Sequence, residues 1–204
     1  ARYVGEHGTS ELEQLFHARP GELIAERAHA AGWKRIGVYG LDYVMTVRGG
    51  QGGQFNSDIG PTRFLTVPST APVPLLAHAG PRVPWYAAVR TAGEWKNEDG
   101  QPRGDILIFV HGYNNSPQDI LDRHRRLKSG LAALEFKGVV VSFDWPCDDQ
   151  ALAYLRDRHA RKQTTMQLVT DGIFYLSKAQ GADCTVNVHV LGHSTGAYVI
   201  REAF

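Results

Sequence analysis

Residues 186–196 read Val-Asn-Val-His-Val-Leu-Gly-His-Ser-Thr-Gly: an apolar run broken by Gly192-His193-Ser194-Thr195-Gly196, with helix-forming sequence after it. A chain that passes from strand to helix through so short a turn has no room for side chains at the flanking positions, so both are glycine. The turn lifts Ser194 above the sheet. The first N–H groups of the following helix have no intrahelical acceptor and lie behind the serine with the positive end of the helix dipole. This G-x-S-x-G pattern demands a sheet whose strands run directly into helices.

The second half of the chain supplies such a sheet. Ile106–Val110 is an uninterrupted apolar run, as expected of a strand buried on both faces. Ser116-Pro117 opens a helix with Ile120, Leu121, Leu127, Leu131 and Leu134 on one stripe. Residues 138–143 form a second buried strand, residues 151–162 and 165–179 one broken helix or two, residues 186–191 a third strand, and residues 196–204 a last helix. This β-α-β-α-β order implies an α/β fold with a doubly wound, mostly parallel sheet and helices on both faces. In such sheets the ligand site lies beyond the carboxyl ends of the strands.

The first half is less regular. A capping box at Ser10-Glu11-Leu12-Glu13 opens one helix, and a second carries Leu23, Ile24, Ala28 and Ala31 up to Gly32. Residues 36–47 read as one long strand or two short ones. Residues 48–54, Arg-Gly-Gly-Gln-Gly-Gly-Gln, lack the Gly-Lys-Ser/Thr ending of a phosphate loop and read as a mobile surface loop. Six of the ten prolines fall in residues 61–84, which predicts an extended, irregular connection and no helix. Residues 1–103 are expected to pack on the same domain as the core of residues 104–204.

Charge is nearly balanced, at +1 over 204 residues, so no strong field toward nucleic acid is expected. The basic runs at 123–128 and 156–162 lie among acidic residues and read as solvated helix faces. Cys147 and Cys184 read as two free thiols, which fits a reducing, cytoplasmic compartment. Ala1 at the start leaves a removed leader, and with it a secreted or periplasmic location, open. No apolar stretch is long enough to span a membrane. His7, His17, His29, His78, His124, His159 and His189 show no metal-ligand spacing, and no metal or cofactor is expected.

The chemistry converges on three loops at the strand ends. Acyl transfer to a serine such as Ser194 builds negative charge on the carbonyl oxygen, which two backbone N–H groups must meet. One donor is expected from Thr195, after the nucleophile, and the other from Tyr113 in the loop His111-Gly112-Tyr113-Asn114-Asn115. His111, Gly112, Gly192, His193 and Gly196 are expected to shape the site: His111 braces its own turn, and His193 precedes Ser194 and points elsewhere. Asp144, at the end of the second strand, is a candidate acid, with capping of a turn as its alternative.

At these residues the chain resembles the α/β-hydrolase superfamily. More narrowly it resembles a bacterial α/β-hydrolase family of unknown function. The residues that carry it are Phe109-Val110-His111-Gly112-Tyr113-Asn114-Asn115, then Ser142-Phe143-Asp144-Trp145-Pro146, then Tyr154 and Asp157, then Gly192-His193-Ser194-Thr195-Gly196. The resemblance covers about residues 104–204. It implies a serine hydrolase of carboxylic esters or related acyl substrates, with a small-molecule partner and no nucleic acid.

In that superfamily the acid and the histidine of the triad follow the serine. Here no histidine follows Ser194 before Phe204, so neither partner is found in this chain. The expectation is that a C-terminal segment or a partner chain completes the triad, and that these residues are the front part of a longer protein lacking its last strands. The alternative is a non-catalytic binding or interaction domain, or an inactive fragment.

Overall fold

The computed structural model describes residues 40–146, 158–178 and 185–204. Both expected N-terminal helices lie outside these residues, as do residues 36–39, Cys147, Cys184, Tyr154, Asp157 and most of the loop after Trp145.

The elements run β1 (Leu41–Gln51), β2 (Gln54–Pro68), a short 3-10 turn (Leu76–His78), β3 (Ala79–Gly80), α1 (Arg82–Gly93), β4 (Glu94–Lys96), β5 (Pro102–Val110) and α2 (Pro117–Ala133). Then follow β6 (Val139–Asp144), α3 (Arg158–Gln167), a π-helical stretch (Leu168–Phe174), α4 (Tyr175–Ser177), β7 (Thr185–Gly192) and α5 (Thr195–Arg201). One sheet joins the strands in the order β3-β2-β1-β6-β5, with β7 on the far side of β5 and β4 on its first three residues. Strands β1, β6, β5 and β7 are mutually parallel, and β2, β3 and β4 pair antiparallel. The sheet is therefore mixed and mostly parallel.

Alternation along the strands sorts side chains to two faces. Tyr43, Met45, Val47, Ile106, Ile108, Val110, Val141 and Phe143 form the main core with Trp85 and Val89 of α1, Leu168 and Leu176 of the α3–α4 segment, and Val199 of α5. On the opposite face α2 lays Leu121 on Val44 and Leu127 on Phe109 and Val140. Ser116 caps α2 by accepting the Asp119 N–H, and Pro117 fills the first helical position.

Three expectations are corrected. Residues 48–54 are not a mobile loop. Arg48–Gln51 completes β1, and Gly52 and Gly53, with φ of 60° and 83°, form a two-residue hairpin turn into β2. Two positive φ angles in succession are the twist that joins antiparallel strands tightly. The proline-rich segment is also more ordered than expected. It contains the end of β2, and Pro84 sits in the first turn of α1, where a missing N–H costs nothing. Finally, Arg125 and Lys128 of the basic run fold inward. Arg125 Nε and Lys128 Nζ bind the buried Asp42 at 2.8 and 2.9 Å.

Candidate active site

β1 is long. Thr46 pairs with Asp144 at the end of β6, and the five residues that follow carry the hairpin past the carboxyl edge of the sheet. β5, β6 and β7 end at that edge in Val110, Asp144 and Gly192, which brings their loops together.

β7 turns into α5 at Ser194, whose φ of 54° and ψ of −123° lie outside the regions open to most residues. Its side chain is exposed and does not cap the helix. The turn is held by the His193 N–H on Val110 O at 3.0 Å, the Gly196 N–H on His193 O at 2.9 Å and the Ala197 N–H on Ser194 O at 3.0 Å. A Cβ on Gly196 would strike the carbonyl oxygens of Val110 and His111, and one on Gly192 would lie 2.6 Å from the Cα of Ala197. Close approach of backbone to backbone thus demands both glycines.

The β5 loop presses on this turn from the side. A Cβ on Gly112 would lie 2.9 Å from Ser194 Cβ and 3.0 Å from His193 Nδ1, so Gly112 is the point of contact between loop and serine. The His193 ring thus lies toward Gly112. His111 is fully buried. Its Nδ1 faces Gly112 O at 2.8 Å, and its Nε2 accepts the Trp145 N–H at 3.1 Å, which defines the Nδ1–H tautomer. Asn115 Nδ2 donates to Gly112 O and Tyr113 O, both at 2.8 Å. Asn114 between them is left-handed, at φ 51°. A peptide is planar and trans, so a Gly112 carbonyl held on one side turns the Tyr113 N–H to the other. Thr195 begins α5, where its N–H has no intrahelical acceptor.

Asp144 does not open onto the crevice. It and Arg48 form an ion pair at 2.7 Å with side chains 1% and 2% exposed. Thr46 Oγ1 donates to its other oxygen at 2.8 Å, and His111 Nε2 lies 3.3 Å away. Burial alone would raise its pKa; the Arg48 guanidinium, foremost among the opposing groups, holds it below the usual carboxylate range.

Sequence reasoning placed Asn115 in the oxyanion loop and Arg48 in the glycine-rich segment, and gave neither side chain a role. Arg48 Nη2 donates to Asn115 O at 2.7 Å and to Trp145 O at 3.2 Å, joining the hairpin to both strand-end loops. The signal available was period two along β1, which sets Asp42, Val44, Thr46 and Arg48 on one face. Among the described residues no histidine is hydrogen-bonded to Ser194, and no cluster of potential metal ligands occurs.

A mostly parallel sheet flanked by helices, with a serine at a strand-to-helix turn beyond its carboxyl edge, defines the α/β-hydrolase class. A family model described as "Alpha/beta hydrolase of unknown function (DUF900)" matches residues 91–204, and the chain belongs to that family. Neither the search of curated proteins nor that of solved structures found a match. No helix among the described residues is long and apolar enough to cross a membrane.

Proposed function

We propose that this chain carries the nucleophile and the oxyanion-binding groups of a serine hydrolase acting on carboxylic esters or related acyl compounds. Ser194 Oγ attacks the carbonyl carbon and gives its proton to a base. The carbonyl oxygen takes the negative charge, met by the N–H groups of Tyr113 and Thr195. Collapse of the tetrahedral intermediate expels the alcohol, which takes up the proton, and water then releases the acid from the acylated serine. Each oxyanion donor contributes about 3–4 kcal/mol to the transition state.

The observation that carries this reading is the conformation of Ser194. An exposed serine with positive φ, capping nothing, is backbone strain that a purely structural turn would relieve with glycine. The proposal requires a base from outside the described residues, supplied by another part of the natural protein or by a partner chain. That requirement also favours a second reading, a binding domain with an unactivated serine.

Hydrolysis of a short-chain p-nitrophenyl ester by the natural full-length protein separates the two. The hydrolase reading predicts that Ser194→Ala lowers kcat by on the order of 10⁴- to 10⁶-fold. Full hydrolysis retained by Ser194→Ala overturns it.

A further inference from the structure

Resting on that reading, we propose that Asn115 and Arg48 are positioning residues for the oxyanion loop. Asn115 clamps the Gly112–Tyr113 peptide in its working orientation, and Arg48 holds Asn115 from the hairpin.

Gly112 has no side chain, so little resists rotation of its peptide with Tyr113. Rotation would carry the Tyr113 N–H away from its present direction and bring a carbonyl oxygen in its place. Three contacts oppose this. His111 Nδ1 and Asn115 Nδ2 both hold Gly112 O at 2.8 Å, and the same Asn115 amide holds Tyr113 O at 2.8 Å. Two consecutive peptides are thereby fixed by one buried side chain, 3% exposed. The left-handed Asn114 makes the reversal that lets Asn115 reach back over both carbonyls.

Asn115 is in turn placed by Arg48. The guanidinium reaches three groups on two segments at once: Asp144 through Nε at 2.7 Å, and Asn115 O and Trp145 O through Nη2 at 2.7 and 3.2 Å. A planar fork with several fixed donors suits this arrangement, and a lysine ammonium does not reproduce it. Irregular register between β1 and β2 on both sides of Arg48 accompanies its inward aim. A surface hairpin has no need of an arginine buried at its root; an active-site loop that must not rotate does.

The test uses Asn115→Asp and Arg48→Lys in the natural full-length protein, with a p-nitrophenyl oxo ester and the matched thiono ester. At neutral pH the introduced carboxylate faces two carbonyl oxygens and releases the clamp. We expect kcat on the oxo ester to fall at least tenfold with KM within twofold. Sulfur is a poor hydrogen-bond acceptor, so the thiono rate falls less and the oxo-to-thiono ratio collapses. Protonating the carboxyl restores one donor, so the activity of Asn115→Asp relative to wild type rises as pH is lowered. Arg48→Lys shows a smaller fall with the same pattern, and it carries the comparison should Asn115→Asp not fold. An unchanged kcat and ratio in folded variants overturns the role. So does a loss shared equally by both esters, which marks general destabilisation. A wild type inert to the ester and to a fluorophosphonate overturns the hydrolase reading, and this role with it.

Discussion

His111 and Trp145 interlock across the ends of β5 and β6. The Trp145 N–H donates to His111 Nε2 at 3.1 Å, the indole Nε1–H donates to His111 O at 2.9 Å, and the rings stack with centroids 5.6 Å apart. The pair fixes the start of the loop that reaches Ser194. Trp145→Phe keeps the stacking and leaves the His111 carbonyl without its indole donor. The expected loss is about 1–3 kcal/mol in urea unfolding.

The elbow glycines give a steric prediction. Gly196→Ala places a methyl against two backbone oxygens, which cannot withdraw as a side chain would. The strand and helix must part, at a cost of about 1–3 kcal/mol or more, read as a lowered thermal midpoint. Ala197→Gly, on the exposed side of the same helix, serves as control and costs about 1 kcal/mol.

The ion pair of Arg48 and Asp144 is a structural requirement as well as an anchor. Arg48→Met leaves a carboxylate buried without its partner and is expected to cost about 3–5 kcal/mol. Replacing both, Arg48→Met with Asp144→Leu, removes the orphaned charge and recovers much of that loss. Denaturant titration of the single and double variants checks the order.

Beneath α2 lies a second polar cluster, with its own pH signature. His124 Nδ1 meets Ser142 Oγ at 2.8 Å, and its Nε2 lies 3.6 Å from Asp42, which Arg125 and Lys128 also face. Burial, opposed by Asp42 and aided by Lys128 and Arg125, lowers the His124 pKa to about 4. The unfolded chain takes up this proton near pH ~6.5. Between those values only the unfolded state binds it, so His124 lowers stability as pH falls from ~6.5 to about 4, by about 3 kcal/mol in all. His124→Gln should flatten the slope of unfolding free energy across that window by about one proton.

Legibility in the sequence followed the strength of local pattern. β5, β6 and β7 announce themselves as apolar runs buried on both faces, and Ser116-Pro117 marks the start of α2. The hairpin was obscured because β2 carries Asn56, Ser57, Asp58, Thr62 and Arg63 on a partly exposed strand, so that its glycine pair read as a loop. α1 was hidden by Pro81 and Pro84, whose positions at a helix start are favourable only once the start is known. The elbow and the His111–Asn115 loop were visible as motifs. Arg48 was not, because its partners Asp144 and Asn115 lie 96 and 67 residues away, and only the parallel pairing of β1 with β6 brings them together.

The account stands on an activated serine at position 194. Its most direct test is reaction of the natural full-length protein with a fluorophosphonate, followed by intact mass and peptide mapping. The account predicts a single stoichiometric adduct on Ser194, lost in Ser194→Ala. A folded protein that takes up no adduct, or takes it up elsewhere, would contradict it.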